Sequence, residues 1–152
     1  MHILIIEDDY LQADLIEEAL RQEPVISLAT IERISTESQF HAEFERIAKN
    51  PPDVIIMDVM LRWADPSPNM EQPSAEIIKE GIGRAGLRNE KLLNQDPRTR
   101  GIPVIIYTIL EDIDLEMTGR PRVNYLAKDS RLEPLVQMTL TLGNRSHPVQ
   151  SS

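Results

Sequence analysis

The chain has 152 residues, 41% hydrophobic and 27% charged, which suits a single globular domain. Its formal net charge of -9 opposes nucleic-acid binding, since a surface that follows phosphates needs a basic patch. The chain has no cysteine for disulfides or thiolate sites, and it has neither a signal-peptide core nor a membrane-length apolar run, so we expect a soluble, cytoplasmic protein without membrane insertion.

The first part of the chain alternates short apolar runs with amphipathic segments. Residues 2–6 (HILII) predict a strand, and residues 10–22 predict a helix because their apolar side chains recur at helical spacing. The run VISLATI predicts a second strand at 25–31, and a helix is predicted at 36–48. The sequence NPPD ends that helix, and DVIIMD predicts a third strand at 53–58.

The second part begins with an irregular stretch. Pro66, Pro68 and Pro73 lie within eight residues of one another and oppose a regular helix through 62–81. Because this connection is unusually long for a compact domain, we expect an insertion at about 62–83 that is either functional or peculiar to this chain. The elements predicted after it are a helix at 84–94, a strand at 103–108, a short acidic helix at 110–118, a strand at 122–128, a helix at 131–142 and a disordered polar tail at 143–152.

Five strand–helix repeats predict an α/β fold in which helices cover both faces of a parallel sheet. The nearly continuous apolar character of the strands fits burial on both faces. In such folds the carboxyl ends of the strands lie at one edge of the sheet, and ligands bind there.

Polar side chains stand at these strand ends. They are Glu7, Asp8 and Asp9 after the first strand, Asp58 after the third, Thr108 after the fourth and Lys128 after the fifth. Carboxylate oxygens suit Mg²⁺ or Mn²⁺, and without a cation the clustered acids would raise one another's pKa. With the ammonium group and the hydroxyl, this set is equipped to handle a phosphoryl group.

Four motifs at these strand ends resemble those of one known family. ILIIEDD, DVIIMDVML, PVIIYT and YLAKD occur in this order and make residues 1–142 similar to the receiver domain of two-component response regulators. The resemblance implies a flavodoxin-like, doubly wound (βα)5 three-layer sandwich with a parallel sheet of order 2-1-3-4-5. It also implies a single-domain phosphoprotein of a phosphorelay that signals by protein–protein contact. Such a protein is not an enzyme beyond its own phosphorylation and dephosphorylation.

The resemblance implies roles for individual residues as well. Asp58 would accept the phosphoryl group of a phosphohistidine, and Lys128 would pair first with Asp58 and then with the phosphoryl oxygens. Glu7 and Asp8, together with Asp58 and the backbone carbonyl of Met60, would hold Mg²⁺ (or Mn²⁺).

The resemblance also implies a conformational switch and its partners. Thr108 would move to hydrogen-bond the phosphoryl group and the ring of Tyr125 would follow, with plain packing as the alternative role of Tyr125. Ile109 stands where the family usually has a small residue, so we expect it to narrow access to Asp58. The implied partners are a sensor histidine kinase or histidine phosphotransfer protein and a downstream protein target; whether a homodimer forms stays open.

Other interpretations stay open beside this one. The chain could be a receiver-like module that takes no phosphate and only binds proteins, which Ile109 favours and the intact acidic set opposes. It could also be a Mg²⁺-dependent hydrolase with an aspartyl phosphate, although those carry DxD after the first strand and this chain has EDD. The acids could simply cap helices, and we assign that role to Asp9 alone. Trp63 could anchor an interface or fold back onto the domain.

Overall fold

The structure, a computed structural model, describes residues 1–110, 124–129 and 131–145. The predicted acidic helix at 110–118 and the tail beyond residue 145 therefore lie almost wholly outside the described residues. The elements are β1 (His2–Ile6), α1 (Tyr10–Gln22), β2 (Thr30–Ile34), α2 (Glu37–Lys49), β3 (Val54–Met57), α3 (Ala75–Glu80), a 3-10 turn (Ile82–Arg84), α4 (Ala85–Gln95), β4 (Val104–Thr108), β5 (Asn124–Ala127) and α5 (Glu133–Arg145).

The five strands form one parallel sheet in the order β2-β1-β3-β4-β5, as predicted. The order reverses between β1 and β3, which is the switch point at which such sheets open a crevice. Helices α1 and α5 pack on one face, and α2 and α4 pack on the other. The predicted three-layer α/β sandwich is thereby confirmed. Among the described helices, none is long and apolar enough to cross a membrane.

The central strands are apolar throughout because both of their faces are buried. Along β1, Ile3 and Ile5 join the core under α1 and α5, whereas Leu4 and Ile6 join the core under α2 and α4. The same alternation runs along β3 and β4. Full burial of one such side chain contributes roughly 1.5–3 kcal/mol, so these strands hold the layers together.

Among the predicted strands that the structure describes, the second is the one that the sequence placed wrongly. The structure has β2 at Thr30–Ile34, whereas the apolar run at 25–31 predicted it earlier. After Pro24 the chain makes successive turns, in which the amides of Ile26 and Ser27 both donate to the carbonyl of Glu23 at 2.9 Å. β2 itself lies at the sheet edge, where polar side chains are tolerated: Glu32 pairs with Arg46 at 2.9 Å.

Other element ends differ by a few residues from their predicted positions. Strand β5 is shorter than the predicted 122–128, of which residues 122 and 123 lie outside the described part of the chain. Helix α5 continues to Arg145, so the first three residues of the predicted polar tail are helical. The short helix α3 also lies inside the stretch expected to be irregular, but it starts only after Pro73, with the Ser74 hydroxyl accepting from the amide of Ile77.

The segment 62–83, predicted to be an insertion and called the insertion below, begins by docking against the start of α2. The carbonyl of Arg62 accepts from the amide of Glu37 at 2.9 Å, and the carbonyl of Trp63 accepts from the amide of Ser38 at 2.7 Å. These two amides belong to the four that a helix start leaves without internal partners. The Trp63 ring lies edge-on to His41 with centroids 5.5 Å apart, and its Nε1 donates to the carbonyl of Glu71 at 2.8 Å. Trp63 therefore folds back onto the domain.

A buried ion pair joins α2 to α4 beside the insertion. Arg88 donates from Nε and Nη2 to the two carboxylate oxygens of Glu37, each at 2.8 Å, and both side chains are largely buried (12% and 1% exposed). Arg88 also reaches Glu80 at 3.1 Å and the carbonyl of Gly81 at 3.0 Å. Burial opposes the charged form of Glu37, but Arg88, and His41 to a lesser degree, outweigh it and lower the pKa of Glu37.

We expect Arg88→Met to destabilise the protein by about 3 kcal/mol at neutral pH, because Glu37 would be left buried and uncompensated. The loss should shrink as pH falls below about 4, since a carboxyl whose folded pKa is lowered contributes its full stability above its unfolded pKa and loses it as pH falls through the folded pKa. Urea unfolding across pH measures both effects. The double variant Glu37→Leu/Arg88→Met is the control and should recover much of the loss; equal destabilisation by both variants would contradict the ion-pair explanation.

Candidate functional site

A cleft of about 430 Å³ opens at the carboxyl edge of the sheet. It is lined by Glu7, Asp8, Asp9, Gln12, Asp58, Met60, Ile109, Lys128 and Asp129. The strand register explains why these residues meet. Ile6 is paired with Met57, so the residues that follow them, Glu7 and Asp58, emerge side by side. Thr108 is paired with Ala127, which places Lys128 one residue further on at the same edge.

Asp58 is bound through both of its carboxylate oxygens. Oδ1 accepts from the backbone amides of Val59 and Met60, at 2.7 and 3.3 Å. Oδ2 accepts from Nζ of Lys128 at 2.7 Å. The residue is 8% exposed, so its charge is stabilised by an ammonium group and two amides rather than by bulk water.

Lys128 bridges the two buried carboxylates. Besides Asp58, its Nζ donates to Oε2 of Glu7 at 3.0 Å, and it lies 5.6 Å from the centre of the Tyr107 ring. Its backbone amide donates to the carbonyl of Thr108 at 2.8 Å, which fixes its position at the end of β5. Burial alone would lower the pKa of Lys128, but Asp58 and Glu7 outweigh it, so the pKa is raised and the ammonium form is favoured.

Glu7 shows the repulsion expected of clustered acids. Burial raises the pKa of Glu7 to about 8, with the negative charge of Asp58 adding to the shift and Lys128 opposing it. Burial and the shared ammonium group together leave the charged form of Glu7 disfavoured.

Asp8 is held by the insertion instead of by Lys128. Its Oδ2 accepts from the backbone amide of Arg62 at 3.1 Å and lies 3.7 Å from Nε of the same arginine. The Nη2 group of Arg62 also donates to the backbone carbonyl of Asp8 at 3.2 Å. Asp9 behaves as expected of a helix cap, since its Oδ1 accepts from the amides of Leu11 and Gln12, at 2.9 and 3.2 Å.

Thr108 and Tyr125 do not line the cleft. Both side chains hydrogen-bond to the backbone of Leu110 beside it. Thr108 is fully buried, and its Oγ1 accepts from the amide of Leu110 at 3.3 Å. The Tyr125 hydroxyl donates to the carbonyl of Leu110 at 3.0 Å. The two side chains of the predicted switch are thus connected through the backbone of Leu110. Ile109, between Thr108 and Leu110, lies 67% exposed at the mouth of the cleft.

This architecture is shared with many solved structures. The chain is similar to the receiver domain of a signal transduction histidine kinase from Syntrophus aciditrophicus, with 23% identity over 99% of this chain and 96% of that one and a TM-score of 0.66. The chain has the receiver fold. It is also similar to the phosphorylated cyanobacterial phytochrome response regulator RcpA, with 21% identity, coverage of 94% and 91%, and a TM-score of 0.64.

A third similar structure is a sensor histidine kinase receiver domain from Pseudomonas aeruginosa with a magnesium ion in its active-site cleft. It shares 18% identity over 94% of this chain and 97% of that one, with a TM-score of 0.63. No protein-family model matches the sequence, and no curated protein matches it. At these identities the likeness shows the receiver fold, and the roles of the cleft residues have to be argued from this chain.

The donor set of this receiver-fold cleft fits a hard divalent cation in its chemistry. Glu7, Asp8 and Asp58 offer carboxylate oxygens in one cleft with Met60 at its rim, which is the kind of oxygen-rich site that Mg²⁺ prefers. The site is not preassembled. Within the described ranges, no three acidic or histidine side chains converge closely enough to share one ion. Lys128 and Arg62 already partly neutralise these carboxylates, so an incoming cation competes with their contacts.

Gly86 was not predicted from the sequence as part of the site. This residue of α4 packs against the backbone of Asp58 and Val59. The amide of Gly86 donates to the carbonyl of Val59 at 2.9 Å, and a Cβ at Gly86 would overlap the Asp58 carbonyl and lie 2.8 Å from Cα of Val59. Helix α4 can therefore approach the loop after β3 only because this residue has no side chain. A glycine inside a predicted helix was the available signal, because glycine there costs stability unless packing requires it.

We expect Gly86→Ala to destabilise the protein by about 1–3 kcal/mol, since the added methyl group has to push the Asp58–Val59 backbone aside. Gly83→Ala is the matched control, because a Cβ at Gly83 meets nothing within 4 Å. Urea unfolding compares the two variants. If Gly86→Ala were as stable as Gly83→Ala, the close approach of α4 to the loop would not constrain it.

Proposed function

We propose that this chain is a phosphoaccepting response regulator receiver, in which Asp58 takes a phosphoryl group from a histidine kinase or phosphotransfer protein in a Mg²⁺-dependent reaction. The observation that supports this most is the contact between Oδ2 of Asp58 and Nζ of Lys128 at 2.7 Å, made at the floor of an acidic cleft. A structural ion pair has no need of further carboxylates around it, and here Glu7 and Asp8 line the same cleft.

In the proposed reaction, a carboxylate oxygen of Asp58 attacks the phosphorus of a phosphohistidine. The new bond joins that oxygen to phosphorus, the P–N bond breaks, and the leaving imidazole nitrogen keeps the electron pair. The two amides on Oδ1 fix the orientation of the carboxylate during the attack. Lys128 then keeps its positive charge beside the transferred group, whose oxygens bring more negative charge than the carboxylate had alone.

Glu7, Asp8, Asp58 and the backbone of Met60 are the groups that would hold the cation. When bound, a divalent cation neutralises phosphoryl oxygens as charge develops on them. The magnesium ion of the Pseudomonas receiver domain and the phosphorylated state of RcpA make this chemistry a reasonable expectation for the same fold. The charges add support, because Glu7, Asp8 and Asp58 are paired with only two cations among the described residues, Lys128 and Arg62.

The signal would pass through the contacts around Leu110. The hydroxyl of Thr108 is buried and bonded to the amide of Leu110, so it has to leave that contact to reach a phosphoryl group on Asp58. Tyr125 is bonded to the carbonyl of the same residue, and its ring would sense the displacement. A new charge at Asp58 would in this way change the surface near β4 and β5, which a downstream protein could recognise.

A protein-binding module that takes no phosphate is the second candidate. Two observations favour it: Ile109 stands at the mouth of the cleft, and the carboxylates are already paired with Lys128 and Arg62. A module of this kind would keep the ion pairs as structural contacts and leave Asp58 unmodified.

We expect one phosphoryl group to be added to the protein by a small-molecule phosphodonor in the presence of Mg²⁺, as measured by intact mass. Asp58→Asn should abolish the labelling because the amide is a far weaker nucleophile, and removal of Mg²⁺ with a chelator should do the same. Asp14→Asn makes the same chemical change on the outer face of α1, where Asp14 pairs with Arg33, and it should label like the wild type.

Three results would contradict this proposal. A folded wild-type protein that takes no label supports the protein-binding module. Labelling that persists in Asp58→Asn removes this residue as the acceptor. Rapid turnover of an organic phosphate monoester supports the hydrolase interpretation, in which a substrate rather than a partner kinase supplies the phosphoryl group.

A further inference from the structure

Arg62 is a second cation at the acidic cleft, and it comes from the insertion. Its guanidinium lies 3.7 Å from Oδ2 of Asp8, donates to the backbone carbonyl of Asp8 at 3.2 Å, and lies 3.4 Å from Oδ1 of Asp65. Lys128 pairs with Glu7 and Asp58, whereas Arg62 pairs with Asp8. The carboxylates are thus shared between two cations, one from the sheet and one from the insertion.

The same residue connects the cleft to the packing of the insertion. The carbonyls of Arg62 and Trp63 accept the amides of Glu37 and Ser38 at the start of α2. The Trp63 ring then packs against His41, and its Nε1 is bonded to the carbonyl of Glu71. The indole of Trp63 therefore lies one residue along the chain from the contacts of Arg62 with Asp8.

We propose that the Arg62 guanidinium competes with the divalent cation for Asp8, so that metal binding frees this side chain from the cleft and alters the packing of Trp63. The inference rests on the proposed metal site and adds a means of regulating it. Arg62 lowers the affinity of the site for metal. It also makes the packing at the start of the insertion depend on whether metal is bound.

The competition follows from charge and exposure. A dication bound by Asp8 would lie within a few ångströms of the guanidinium, and like charges at that distance repel even in a partly hydrated site. Arg62 and Asp8 are 41% and 24% exposed, so their pairing is weak enough for a dication to break. The backbone amide of Arg62 bonds Asp8 whatever its side chain, so a side-chain substitution isolates the contribution of the guanidinium.

The first test measures metal affinity. Arg62→Met keeps most of the stem and removes the charge, and we expect it to bind Mg²⁺ by calorimetry, and Mn²⁺ by electron paramagnetic resonance, about 3- to 10-fold more tightly than the wild type at low salt. The gain should shrink at high ionic strength. Arg46→Met is the matched control, because Arg46 is similarly exposed and paired with carboxylates but belongs to α2 outside the cleft. Arg62→Lys, which retains the charge, should stay near the wild type.

The second test uses Trp63, the only tryptophan in the sequence, as the reporter. Adding Mg²⁺ to the wild type should shift or quench its emission with the same midpoint as the calorimetric titration. In Arg62→Met the metal should bind with little change in emission, because the connection to the insertion has been removed.

The outcomes separate this inference from the proposed function. Equal affinity in wild type, Arg62→Met and Arg46→Met overturns the competition while leaving the metal site intact. Tighter binding in Arg62→Met with an emission response equal to that of the wild type overturns the link to Trp63. Absence of metal binding in every variant overturns the proposed metal site, and the inference falls with it.

Discussion

The candidate site depends on two contacts, those of Lys128 with Asp58 and with Glu7, at the carboxyl edge of the sheet. These residues are far apart in sequence, and only the parallel register of β1, β3, β4 and β5 brings them together. The contacts also leave the charged form of Glu7 disfavoured, since burial and the charge of Asp58 raise the pKa of Glu7 to about 8. A fold stabilised by two apolar cores can tolerate such a site.

The sheet could be predicted from sequence because each central strand is an uninterrupted apolar run that ends in a polar residue. β1, β3 and β4 are buried on both faces, so hydrophobicity alone locates them. The same rule failed for β2, where the apolar run forms turns and the edge strand that follows carries Glu32 and Arg33. At a sheet edge, backbone pairing with the neighbouring strand and ion pairs with nearby helices stabilise the strand in place of burial. The spacing of apolar residues therefore gives little indication of where such a strand lies.

The convergence of the candidate site residues was predictable for the same reason, but their partners were not. Glu7, Asp8, Asp58 and Lys128 follow strands, so topology places them at one edge. The roles of Arg62 and Gly86 depend on the path of the loop after β3. The hydrogen bond of Arg62 to Asp8 and the close approach of Gly86 to the loop are details that a hydrophobic pattern does not encode. Thr108 stands at its predicted strand end, yet its hydroxyl is bonded to Leu110 rather than exposed in the cleft, a choice between rotamers that sequence does not reveal.

Arg88 has a consequence for how the insertion is attached. Within Ala75–Glu80 no side chain is buried, so α3 gains little from the hydrophobic effect. The C-terminal end of α3 is held by Arg88, which donates hydrogen bonds to Glu80 and to the carbonyl of Gly81. Arg88 also donates to Glu37 in α2. Salt screens the ion pair with Glu80, whose side chain is 26% exposed, whereas it does not weaken apolar cores. The sandwich and α3 should therefore differ in their response to ionic strength: the sandwich stays folded while the end of α3 is held less tightly.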